Sequence, residues 1–109
     1  MVSYFVRYRG RAADPDQFNA YYETVHAKIL SEFPNIQSLH LHRPSPWTDP
    51  FPVFRGDSAL LAQMVFRSVQ DLDVALKSEA RNLAREDFAR FSPFEGSVTH
   101  EAMAGKVIF

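Results

Sequence analysis

The chain has 109 residues, no cysteine and a formal net charge of −1 made of mixed signs. That length suits one domain over residues 1–109, and 46% hydrophobic with 23% charged residues is an ordinary globular composition. Disulfides, zinc–thiolate centres and thiol nucleophiles are excluded by the missing cysteines, nucleic acid is disfavoured by the lack of a basic face, and no segment approaches the roughly 18 apolar residues of a membrane span.

The opening "MVSYFVRYRG" carries no signal-peptide pattern, so a cytoplasmic protein is expected. Residues 2–9 alternate. Val2, Tyr4, Val6 and Tyr8 take one face; Ser3, Phe5, Arg7 and Arg9 take the other. This period of two, in β-branched and aromatic residues, predicts a strand, ended by Gly10. "ADPDQF" then starts a helix: Asp14 can cap, Pro15 suits the first helical position and Gln17 can complete a capping box. The helix is expected over 15–33, because Pro34 forbids continuation. Its apolar stripe is Phe18, Tyr22, Val25, Ile29 and Phe33, with Tyr21 and His26 on opposite shoulders.

Residues 36–43 read as a second strand, with Ile36, Ser38, His40 and His42 on one face and Gln37, Leu39, Leu41 and Arg43 on the other. A loop of about 44–58 follows, stiffened by four prolines and carrying Trp47, Phe51 and Phe54. Long loops in small domains are usually functional or flexible. Residues 60–67 form a third strand, apolar on both faces, which implies a central position. Ser68 can cap a helix with Leu72, Ala75 and Leu76 inward. "KSEAR" interrupts it, and a second stretch over 80–91 is expected to bury Leu83, Ala84, Phe88 and Phe91. After Pro93 and Gly96, residues 97–103 are a fourth strand with Val98, His100 and Ala102 on one face.

The order β-α-β-β-α-β specifies an α+β, ferredoxin-like antiparallel sheet with helices on one face. Two helices cover only one face, so a homodimer through the open sheet face is expected.

Three stretches, "FNAYYETVHAKILSEFPNI", "ALKSEARNLAREDFARF" and "GSVTHEAM", together with this element order, make the chain resemble the EthD-like family of dimeric α+β barrel proteins. Two points depart from that family's pattern: His26-Ala27-Lys28 stands where His-x-Pro is usual, and Pro34-Asn35 replaces a Pro-Gly turn. Asn tolerates the left-handed conformation such a turn needs. The resemblance implies a cleft between helices and sheet with the first-helix histidine pointing in. It also implies relatives that include lactone isomerases, polyketide cyclases and small monooxygenases.

On this basis His26 is the candidate acid–base residue, since an imidazole titrates near neutrality; the plainer alternative is a packed histidine with one hydrogen bond. Tyr22 lies at i, i+4 from it and can orient a ligand or pass a proton. His40 and His42 stand about 7 Å apart on one strand face. A metal would need further ligands that the sequence does not supply, so a pocket wall or a subunit interface, there approached by His100, is the preferred reading. Trp47, Phe54, Phe66, Phe88 and Phe91 complete an expected apolar substrate site, with the Trp47–Phe54 stretch as a lid. No phosphate loop or dinucleotide fingerprint occurs, and no cofactor is expected. The leading expectation is a cofactor-independent enzyme acting on a small hydrophobic carbonyl compound; the alternative is a non-catalytic binding or accessory protein of the same fold.

Overall fold

The computed structural model describes all 109 residues. One antiparallel sheet contains β1 (Val2–Ala12), β2 (Ser38–His42), β3 (Ser58–Phe66) and β4 (Phe94–Ala104) in the spatial order β2-β3-β1-β4. β3 is central, as its two apolar faces require. The helices lie together on one face, giving the ferredoxin-like α+β arrangement.

The ladder explains which residues meet. Tyr4 pairs with Met64 on β3 and Ala102 on β4; Tyr8 pairs with Leu60 and Val98. These positions share the helix-covered face, where Tyr4, Val6, Tyr8, Leu60, Ala62, Met64 and Phe66 are buried. Gly10 does not end β1. It pairs with Gly96 on β4, and both have positive φ, 135° and 143°. A Cβ at either position would run into the backbone of the facing strand. The glycine pair therefore lets two strands cross closely and carries β1 on to Ala12.

The first helix (residues 15–31) starts as expected, with the Asp14 side chain accepting from the Gln17 amide and Pro15 in the first turn. It does not stay regular. Pro15–Tyr21 and Ala27–Ser31 are α-helical, but Tyr22–His26 form a π turn in which the Ala27 amide donates to the Tyr22 carbonyl. Widening one turn rotates everything after it. The buried line becomes Phe18, Tyr22, His26, Leu30 and Phe33, while Val25 is exposed. His26 is thus in the buried stripe, not on its shoulder. The helix stops at Ser31, short of Phe33, and Asn35 takes a φ of 65° in the turn that follows.

The second helix (Val69–Leu76) is capped by Ser68 and the third (Glu79–Asp87) by Ser78, so "KSEAR" holds a full break and restart. A short 3₁₀ turn, Phe88–Arg90, follows. Ala84 and Phe91 are buried as expected, but Leu83 and Phe88 are exposed and Asp87 takes an inward position.

Candidate functional site

Between the helices and the sheet lies a cavity of about 330 Å³. β1 supplies Tyr4, Val6 and Tyr8 as its floor, β3 supplies Met64, and β4 supplies Val98 and His100. The first helix and the turn after it contribute Tyr22, His26, Leu30 and Phe33; the third helix and its 3₁₀ extension contribute Arg81, Ala84, Arg85 and Phe88.

His26 is 4% exposed and Asp87, behind it, is 2% exposed. His26 Nδ1 lies 2.9 Å from Asp87 Oδ2. A carboxylate only accepts, so Nδ1–H donates and Nε2 is left free toward the cavity. The other carboxylate oxygen accepts from the Tyr21 hydroxyl at 2.6 Å, and Arg90 Nη1 stands 3.6 Å from it. Burial alone would raise the Asp87 carboxyl. The hydrogen bonds from Tyr21 and His26, with the charges of His26 and Arg90, outweigh that and hold it below its usual range. Burial lowers the His26 imidazole below its ordinary 6.5, against the opposing pull of Asp87. At neutral pH the ring is therefore neutral, with a lone pair on Nε2.

Aromatic walls fix the imidazole. Tyr22 packs on it with centroids 4.8 Å apart, and Phe91 meets it edge-on at the same distance. Such edge contacts contribute about 0.5–1.5 kcal/mol each beyond area burial. Burial pushes the Tyr8 phenol up to about 12 and raises that of Tyr22 well above its ordinary value. Both stay protonated at working pH and are available only as neutral donors.

A second polar group shares the cavity. The Tyr4 hydroxyl and His100 Nδ1 are 2.8 Å apart, and the Arg81 guanidinium sits over the Tyr4 ring, 5.8 Å from its centre. Burial, then the charges of Arg81 and Arg85, lower the His100 imidazole below 6.5.

Of the residues singled out from sequence, the structure brings Tyr22, His26 and Phe88 to the cavity, and Phe91 to the back of His26. Phe66 is fully buried in the core on the same sheet face. His40, His42, Trp47 and Phe54 are not in the cavity wall. In β2 it is Leu39 and Leu41 that pack on the core, so the pleat turns His40 and His42 to the open face. There the rings stack at 6.4 Å, with His40 on Ser38 and His42 on Gln63. No third metal-ligating side chain is grouped with them. The expected lid also needs correction. The 44–57 stretch has no regular structure, and a shallow groove joins its Trp47 to Arg7, His42 and Leu61 on the open face. Trp47 is half exposed under Arg55, and Phe54 is fully exposed. Within one protomer this loop does not close the His26 cavity. His100 points to the helix side, so the three histidines 40, 42 and 100 do not share a sheet face.

Three residues escaped the sequence reading. Asp87 stands beside Ala84 and Phe91 on a stripe read as apolar; a carboxylate three residues from a buried alanine was its only signal. Arg81 and Arg85, four apart on one helix with Ala84 between them, were not singled out at all.

A family model described as the EthD domain matches residues 11–95. Among solved structures, an ethyl tert-butyl ether D (EthD) family protein from Bacillus halodurans superposes with a TM-score of 0.76 at 17% identity, covering 97% of this chain and 99% of that one. SnoaB, a cofactor-independent oxygenase from Streptomyces nogalater, gives 0.65 at 13% identity over 97% and 93%. A dimeric protein of ferredoxin-like fold from Bacteroides fragilis gives 0.51 at 14% identity over 94% and 93%. No curated protein matches by sequence.

Proposed function

The chain belongs to the EthD domain family, and from that premise we propose that it is a cofactor-independent enzyme that moves protons on a small hydrophobic carbonyl compound. One observation carries the reading: a buried imidazole, its Nδ1 held by the Asp87 carboxylate, offers Nε2 to an apolar cavity. In the proposed step, Nε2 takes a proton from a carbon next to the substrate carbonyl. The C–H bond electrons move into an enolate, and the negative charge collects on the carbonyl oxygen. The Asp87 carboxylate stabilises the imidazolium that forms, without itself taking the proton. Return of the proton to another carbon completes an isomerisation; attack by the enolate carbon on a second carbonyl breaks that C=O π bond, and transfer of the imidazolium proton to the resulting alkoxide completes a cyclisation. Tyr22 keeps its proton and holds the ring plane of His26. The likeness to a cofactor-independent oxygenase supports the general class.

A hydrophobic ketone is the direct test. With 2-tetralone in deuterated buffer, the protein should speed exchange of the protons next to the carbonyl, followed by NMR, and His26→Asn should return the rate to that of buffer. Equal rates for the two proteins would leave a binding or accessory protein as the role.

The open sheet face belongs to the same proposal. Phe5, Leu61 and Val65 lie there among Ser3, Gln63, His40 and His42, and we assign it to a second copy of the chain. The dimeric relative of this fold supports that assignment.

A further inference from the structure

We propose that the Arg81–Arg85 end of the cavity is an anion subsite, so that the substrate is a flat hydrophobic molecule carrying a carboxylate. This rests on the carbonyl-enzyme reading and extends it to substrate class. The cavity wall holds two arginines and two histidines, and no aspartate or glutamate. That bias is local, because the whole chain is close to neutral. Arg81 and Arg85 form no ion pair; the carboxylates of this protein that are paired serve Arg9, His26, Arg43 and Arg90. Four residues apart on one helix, they share a helix face, both line the cavity and the charges of both reach His100; two guanidinium groups on one wall can grip a carboxylate through several charge-assisted bonds.

The neighbours fit an anion too. The Tyr4 hydroxyl and the His100 ring are paired with each other at 2.8 Å and place no negative charge beside the arginines. Tyr4 and Tyr8 lie four residues apart on β1, about 13 Å of strand. Arg81 stands over Tyr4, whereas Tyr8 packs on Tyr22 and Phe88, the side on which His26 lies. A ligand gripped at the Tyr4 end therefore lays its rings along the floor toward His26 Nε2. A volume of about 330 Å³ is at the small end of ligand pockets and suits one or two fused rings plus the acid group.

The probes are 2-naphthoate and its neutral isostere 2-naphthamide, titrated by calorimetry and by NMR shifts of the cavity methyl groups. Naphthoate should bind about 10-fold or more tightly than naphthamide, and the difference should shrink between 20 and 500 mM salt, as charge screening demands. Arg81→Gln with Arg85→Gln should abolish the preference while leaving naphthamide affinity within a factor of two. Arg81→Lys with Arg85→Lys, which keeps the charge, should restore part of it. His26→Asn should keep the full preference, which separates this subsite from the proton-transfer reading. Equal affinities in the wild type, a preference that survives the double glutamine variant, or no binding of naphthoate at millimolar concentration would each overturn the subsite. Loss of tetralone exchange in His26→Asn has no bearing on these outcomes.

Discussion

The two faces of the sheet each carry histidines, and they are used differently. On the helix side His26 is buried, hydrogen-bonded to an ionised carboxylate, and walled by Tyr22 and Phe91. On the open side His40 and His42 stack on each other in solvent and touch only Ser38 and Gln63. Spacing alone favours the open-side pair, because two imidazoles two residues apart on a strand look like a designed site. Environment reverses that order. A general base needs one fixed tautomer, a partner for its positive form and a dry neighbour, and only His26 has all three.

The strongest way to break this contrast is to remove the two kinds of histidine separately. His26→Asn should lower the exchange rate on a hydrophobic ketone by about 10²–10⁴-fold. A loss of less than threefold would mean that the buried ring is only a packing residue.

Asp87→Asn tests the partner and should cost about 10²-fold, since the carboxylate sets the tautomer and stabilises the imidazolium. It also has a pH signature. The rate should rise as His26 loses its proton, so in the wild type the limb lies below pH 6.5, in the direction burial shifts the ring. Asp87 opposes that shift; without it the limb moves to still lower pH. A limb that moved upward would contradict the assignment. Stability follows the same sign. A histidine whose folded pKa is depressed binds fewer protons folded than unfolded, so its stabilising contribution is complete above about pH 6.5 and falls as pH drops below it. Asp87, held below 3.8, adds a contribution present above that value and lost as pH falls through its folded pKa. Both predict a wild-type melting temperature that declines on acidification, read by circular dichroism.

Much of the frame was legible because it is written locally. The Asp14 and Ser68 caps, the left-handed Asn35 and the two apolar faces of β3 each follow from a few adjacent residues. The strand order then follows from connection length and handedness. The site was less legible because its two halves are 61 residues apart, and because a π turn is silent in a periodicity count. Phe18, Tyr22, Val25, Ile29 and Phe33 make a sound α-helical stripe, and one widened turn exposes Val25, leaves Ile29 half-buried and brings His26 and Leu30 fully inside. Asp87 was hidden for a related reason: its burial is tolerable only once Tyr21 and His26 are brought to it. The loop after β2 was placed on the wrong face because its composition says that it is stiff and aromatic, not which side of the edge strand it follows.

The open face can be broken by charge. Phe5 lies at its centre, between Gln63 on β3 and Glu101 on β4. Phe5→Glu sets a second carboxylate there, and if a second copy covers this face the change should weaken association by about 2–4 kcal/mol, roughly 30- to 1,000-fold in the dissociation constant. Sedimentation velocity across a concentration series reads this directly. A wild type that stays monomeric at 100-fold above working concentration, on the order of 100 μM, would remove the second copy from the picture.

The smallest effect should come from the residues that first drew attention. In His40→Ala and His42→Ala each truncation removes a solvent-exposed ring with one weak partner, so stability should change by no more than about 0.5 kcal/mol. The exchange rate should stay within a factor of two, because neither ring reaches the cavity wall. If one of them instead cost tenfold, the route would have to run through the sheet or across a dimer interface. The double variant Phe5→Glu/His42→Ala separates these: the loss should vanish in a protein that is already monomeric if it acts across the interface, and persist unchanged if it passes through β3. The open-face pair would then be a positioning device for the buried base on the other side of the sheet.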